Sequence, residues 1–354
     1  MTCNVNFSTA EATLLTMELD EIVFSSLTAG ESLTMEFTMK AGQTVIDTWT
    51  ATYFADANGR ICLSALGRMW NRYFIAYRRR VGGEGSTPQI GPDLLTVVLT
   101  YTMEDETTAT CQRHLLYSRR HATPTLSSLI NHLPFVSKVK YTAPTAKEYV
   151  CALSSVSGLT VKAEAIYVLS GVQGTQTIAA TNFSWTSSAG GGSIDVSPGV
   201  ITSHLSSGAV LKEYTIQTVY NSAVVDSCRY IVEQANSLRE LCWLNRWGAY
   251  ETLVLKGSET LNSNRSASYG WTGDDWSALD MDVTDEYDGS TGYVGENEWN
   301  QVRDLAESPV VWLWNGAWQR VTITGVKLSR VRPTNEARTC VINYRLCDRE
   351  ALII

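Results

Sequence analysis

The chain has 354 residues, of which 44% are hydrophobic and 18% charged, which excludes a disordered protein and provides apolar material for two or three domains. Acidic residues exceed basic ones and the net charge is -8, so no general attraction to nucleic acid or anionic lipid is expected. The eight cysteines are scattered without a C-x-x-C pair, mostly in alternating runs, a pattern of reduced, buried thiols rather than of a zinc site or a disulfide framework.

The first residues, Met1 to Phe7, lack the basic and apolar regions of a secretory signal, and no run approaches the roughly 18 apolar residues of a membrane span. The expectation is a protein made in a cytoplasm, which stays there or leaves inside an assembled particle. Leu33, Met35, Phe37 and Met39 alternate with Thr and Glu, the period of a half-buried antiparallel strand. Trp49, Ala51 and Tyr53 repeat the pattern, and Asp56-Ala57-Asn58-Gly59 then supplies a turn. Leu66, Met69, Trp70, Tyr73, Phe74 and Tyr77 recur at helical spacing. Residues 94–103 form another strand, and Leu126, Leu129, Ile130 and Leu133 predict a short helix stopped by Pro134. Arg78–Arg80 and Arg119–Arg120 read as solvated edges.

Around Pro134–Pro144 the pattern resets, which divides the chain into an N-terminal β-rich domain (1–143), an Ig-like β-sandwich (144–237) and a Trp-rich C-terminal β domain with one short helix (238–354). The middle segment has strands at 161–169 and 213–220, with Gly190-Gly191-Gly192 read as a flexible loop between them. In the last segment Asn297 is expected to cap a helix with Trp299, Val302, Leu305 and Ala306 on one face. Trp314-Asn315-Gly316-Ala317-Trp318 reads as a hairpin, and Cys340, Ile342, Tyr344 and Leu346 as a final strand. The fold class is therefore mainly β and multi-domain, with sandwich domains and a few short helices.

Chemistry-bearing patterns are sparse. The glycine run lacks the lysine of a phosphate loop, and no G-x-S-x-G or H-E-x-x-H occurs. His114, His121, His132 and His204 have no metal spacing. Asp280, Asp282, Asp285 and Asp288 mark a possible ligand or ion loop, but the spacing departs from that of a calcium loop and a solvated acidic loop is the commoner outcome. The same carboxylates with Trp271, Trp276 and Trp299 suggest, more remotely, a sugar cleft with an acid and a base. No metal, cofactor or catalytic residue is assigned.

Two stretches carry a family likeness. Residues 47–63, from Asp47-Thr48-Trp49 to Arg60-Ile61-Cys62-Leu63, resemble a hairpin near the start of many Bacteroides phage structural proteins. Residues 243–257 resemble an aromatic-x-N-x-x-G-x-x-[DE]-[ST] signature of the same group. The resemblance implies a phage or prophage virion component, tail or baseplate-like, that assembles with other virion proteins and with copies of itself. A cell-surface or glycan-binding, adhesin-like module is the alternative, and a glycan-degrading tail enzyme a further one. Read physically, Trp243, Asn245, Trp247, Gly248 and Tyr250 are a folding signature: Asn245 satisfies backbone groups in a turn, Gly248 permits a positive φ, and the rings form a ledge at a domain junction.

Overall fold

The computed structural model describes residues 4–7, 12–81, 90–119, 135–153, 158–233, 239–273, 275–314, 316–327 and 338–347. Helix is minor beside strand, and the strands form five sheets, the mainly β, multi-sheet build that the period-two runs predict.

In the first region a five-stranded sheet has the order β2-β8-β7-β4-β5, from β2 (Ala12–Leu15), β4 (Ser32–Ala41), β5 (Thr44–Phe54), β7 (Leu95–Met103) and β8 (Thr108–Leu116). A small second sheet joins β1 (Asn4–Val5), β3 (Ile22–Ser25) and β6 (Ile61–Leu63). Leu33, Met35, Phe37 and Met39 are all buried on one face of β4, as alternation requires. Helix α1 (Leu66–Val81) lays Trp70 and Phe74 into the same core, and Trp49 stacks between Phe37 at 4.9 Å and Tyr73 at 5.7 Å. The expected helix at 126–133, with His121 and His132, lies outside the described residues.

The second region is a sandwich. One sheet, β12-β11-β15-β16-β9, comes from β9 (Val139–Thr142), β11 (Leu159–Leu169), β12 (Val172–Ile178), β15 (Val210–Tyr220) and β16 (Ala223–Val232). The other, β10-β14-β13, comes from β10 (Tyr149–Leu153), β13 (Thr186–Ser188) and β14 (Gly191–Asp195). Val150, Ile194 and Val196 on one side meet Val161, Ala163, Tyr214 and Ile216 on the other in a single core. Strand β9, which precedes residue 144, belongs to this sandwich through its parallel pairing with β16; a short helix, α2 (Pro198–Ser203), precedes β15. The glycine run is not the expected flexible loop. Gly191 and Gly192 are strand residues, and a Cβ at Gly191 would lie 2.0 Å from the Ala152 carbonyl oxygen. These glycines serve close backbone approach.

The third region is a seven-stranded sheet, β18-β17-β21-β22-β23-β20-β19. Its strands are β17 (Glu240–Leu244), β18 (Tyr250–Val254), β19 (Glu259–Thr272), β20 (Asp275–Val294), β21 (Val311–Trp314), β22 (Trp318–Lys327) and β23 (Arg338–Leu346). Helix α3 (Glu296–Ala306) seals it with Val302 and Leu305. Its N-cap is Gly295 rather than Asn297, with Glu298 accepting from the Gly295 N–H at 2.9 Å. Ala306 is exposed, while Glu298, Gln301 and Asp304 are buried. The hidden face is thus partly polar, because it meets charged partners described below.

Candidate functional site

Two neighbouring stretches of the third region hold the sequence-flagged residues, and they have opposite surroundings. The first is the 243–250 turn between β17 and β18. The Asn245 side-chain oxygen accepts from the N–H groups of Trp247 at 2.9 Å and Ala249 at 3.2 Å, an Asx turn. Gly248 has φ +76°, and a Cβ there would lie 3.0 Å from that of Tyr117 and 3.1 Å from its carbonyl oxygen. The turn is therefore pressed against the segment that leaves the first region, and the Arg119 N–H donates to the Arg246 carbonyl at 3.1 Å.

The rings of this turn are covered by the chain itself. Trp243 is fully buried and its Nε1–H donates to Asp304 Oδ2 at 2.9 Å. Asp304 also receives Arg119 at 2.8 Å and Arg246 at 3.0 Å. Trp247 and Tyr250 share one core with Phe37 and Leu95 of the first region, so the expected ledge is an internal seam. The Arg78 guanidinium lies 4.9 Å from the Tyr250 ring centre and pairs with buried Asp93. Burial pushes the Asp93 carboxyl up to about 6 against the pull of Arg78. Arg78 and Arg119 are accordingly not solvated edges; Arg78 is buried and Arg119 half-buried, each held by a carboxylate, which spacing in the chain does not reveal. The side chains of Arg79, Arg80 and Arg120 lie outside the described residues.

The seam continues into the sandwich. Lys140 Nζ, buried, donates to Glu148 at 2.5 Å, Glu251 at 2.9 Å and Thr252 at 3.0 Å. Burial alone would lower the Lys140 pKa, but Glu148 and Glu251 hold it above its ordinary value. Glu240, fully buried, accepts twice from the Lys147 N–H at 2.8 and 3.1 Å. Burial, then the nearby Glu148, push its carboxyl well above the ordinary range. The sequence reading did not single out Lys140, Glu148 or Glu240; an isolated lysine or glutamate in an alternating run reads as solvated.

The second stretch is the acidic one, and it is not a loop. Asp280, Asp282, Asp285 and Asp288 are all residues of β20, which pairs with β19 over their whole length. Because β23 pairs only with the part of β20 from Tyr287 onward, residues 261–272 and 275–286 form a two-stranded arm beyond the sheet. A turn at Gly273, φ +70°, closes it. Alternation sets Asp285 on the opposite face from Glu286 and Asp288. Asp288 accepts from Asn262 at 3.0 Å and also meets Asn343, and Glu286 meets Thr324. Asp285 takes the Ser263 hydroxyl at 2.5 Å on the other face. Asp285 and Asp288 thus do not converge on one ion or flank one bond, and among the described residues no group of three or more His, Cys, Asp or Glu could hold a metal. Asp280 and Asp282 occupy positions opposite Ser268 and Ser266.

At the end of the arm Trp271 is paired with Trp276, their rings edge to face at 5.5 Å. Both are exposed, 68% and 59%, and Tyr269, two residues before Trp271 on the same face, is 54% exposed. Trp299 is elsewhere, on α3 under Arg303. Leu261 and Val283 continue the apolar face down the shaft. The signal that could have revealed the arm is Trp271-Thr272-Gly273-Asp274-Asp275-Trp276, a glycine turn between two tryptophans like the one at Trp314–Trp318. Cys62 is an exposed thiol, whereas Cys111, Cys151, Cys228, Cys242 and Cys340 are buried. His114 bonds Thr96 at 2.9 Å, and His204 packs near Phe183.

No protein-family model matches the chain. No curated protein matches it either. Among solved structures it is similar to the periplasmic chaperone SfaE, with 9% identity and a TM-score of 0.21 over 66% of this chain and 100% of that one. It is also similar to a Ca2+-stabilized adhesin with which an Antarctic bacterium binds ice, with 11% identity and a TM-score of 0.18 over 98% and 73%. An adhesin from Mobiluncus mulieris aligns at 9% identity and a TM-score of 0.17 over 80% and 95%. At such scores none of these bears on what the chain binds.

Proposed function

We propose that the chain is a non-catalytic, adhesin-like recognition module whose working element is the β19–β20 arm and whose ligand is a glycan chain. One observation carries this reading: Tyr269, Trp271 and Trp276 present their rings to solvent on one face of the arm. Several large rings left uncovered together on one face form a contiguous patch, the feature that marks a contact surface. The apolar face of a sugar ring stacks on an indole, and the serines and carboxylates nearby supply hydrogen bonds to hydroxyls. Retention on a glycan array or in polysaccharide-containing native gels tests it. Trp271→Ala with Trp276→Ala should abolish retention while leaving the melting curve in place; retention that survives in that double variant sinks the reading.

A second reading is the virion component that the likeness at 243–257 implies, acting by protein contacts. Leu261 and Val283, 50% and 61% exposed, favour it, because aliphatic groups along the shaft suit a protein surface better than a sugar. Negative-stain images showing rings or tubes from purified protein, with no glycan retention, would decide for it.

A further inference from the structure

We propose that two copies of this chain pair through the outer edge of β19, antiparallel about a two-fold axis at Ser266, to form one four-stranded ribbon from two arms. The inference rests on the arm being the working element. Strand β19 ends its sheet among the described residues, and positions 259–266 are all exposed along it. An exposed strand edge is a row of unpaired backbone groups, which proteins usually blunt with charge, proline or a cover. Between Thr260 and Thr272, β19 has no proline and a single charged residue, Arg265. The opposite end of the sheet, β18, packs beside β9 and β10, so sheet-to-sheet continuation from β19 onto β18 of a second copy is blocked. Pairing of β19 with itself remains, and it closes as a dimer.

Charge selects this edge of the arm over the other. From Asp275 to Asp288 the inner strand β20 has six carboxylates, Asp275, Asp280, Asp282, Asp285, Glu286 and Asp288. Two β20 edges would repel. Pairing through β19 instead holds the two β20 strands three strand spacings apart, about 14 Å, beyond the screening length of about 8 Å at physiological salt.

The register follows from the side chains. A two-fold axis normal to the ribbon keeps the aromatic face on one side, so odd positions pair with odd. Centring on Arg265 would set it against its own copy. Centring on Ser266 sets Leu261 beside Trp271 of the second copy, Ser263 beside Tyr269 and Arg265 beside Ala267, each twice. Exposed apolar groups meet, like charges do not, and the aromatic face is doubled without being covered.

The register is tested with Cys3→Ser, Cys62→Ser and Cys347→Ser as background. Ser266→Cys should cross-link to itself under mild oxidation, because residues on the axis are direct partners at disulfide distance. Asn264→Cys, whose partner in the second copy is Ser268, should not. Light scattering of the unmodified chain without ligand should give a dimer, and Leu261→Arg with Trp271→Arg a monomer whose circular dichroism is unchanged. A monomer at all concentrations, filaments, or equal cross-linking at 264 and 266 would overturn the pairing. A dimer that binds no glycan sinks the recognition reading alone; a monomer that binds glycan sinks the pairing alone.

Discussion

The turn at 243–250 and the arm at 261–286 lie close together in the sequence and each carries two tryptophans, yet Trp243 is fully buried and Trp271 is 68% exposed. The residue type is the same; the cover differs. Three parts of the chain converge on the turn and the start of β18 that follows it: the end of the first region through Arg119, the sandwich through the bond of Lys140 to Glu251, and α3 through Asp304. Among the described residues no ring of another element stacks on the outer end of the arm, where Trp271 and Trp276 touch each other. Tryptophan therefore marks a seam in one place and a contact surface in the other, and only the former should matter for stability.

The largest expected effect follows from removing Trp243. Trp243→Ala deletes core volume and a donor to buried Asp304, and should cost roughly 3–5 kcal/mol in urea unfolding followed by circular dichroism. A loss below about 1 kcal/mol would erase the contrast between the two stretches.

The seam should also answer to pH. The folded pKa of Asp93 is raised from 3.8 to about 6, so the folded state binds the extra proton. The stabilisation is fully present below pH 3.8 and is lost as pH rises through about 6, a change on the order of 3 kcal/mol at most. Glu240, raised by burial and then by Glu148, acts in the same direction. Denaturation midpoints measured across this range should fall with pH, and Asp93→Asn together with Glu240→Gln should flatten the slope. An unchanged slope in that variant would place the titration elsewhere.

Gly248→Ala tests the approach of the turn to Tyr117. The positive φ and the 3.0 Å contact together should cost about 1–3 kcal/mol, read from the thermal midpoint. Gly273→Ala, at a positive φ but with nothing within 4 Å of its Cβ, should cost less, and the difference between the two measures the seam's packing.

Trp271→Ala is expected to change stability least, by no more than about 0.5 kcal/mol, as exposed substitutions do. The same urea titration checks it. A loss comparable to that of Trp243→Ala would show that the arm is packed rather than free.

Much of the fold was legible because hydrophobic periodicity is local. Alternation in 33–39, 94–103 and 161–169 and helical spacing in 66–77 each correspond to the observed elements, since a half-buried strand or helix needs only its own side-chain pattern. The Asn245–Gly248 turn was legible for the same reason: an Asx turn and a positive φ are decided within five residues. What tertiary structure alone decided is where charge and aromatics go. Arg78, Arg119, Lys140 and Glu240 have ordinary surface residues' sequence surroundings. They are drawn out of solvent because partners on other elements meet them, Glu251 at 111 positions from Lys140 and Asp304 at 185 from Arg119. The acidic stretch does alternate, with Met281, Val283 and Tyr287 set between Asp280, Asp282, Thr284, Glu286 and Asp288, but the density of carboxylates reads as a solvated loop, because a ribbon beyond the sheet has no second layer to make one face wholly apolar. Whether a tryptophan such as Trp243 or Trp271 is buried or exposed depends on what other elements bring to it, which is a property of the assembled chain and not of the residues beside it.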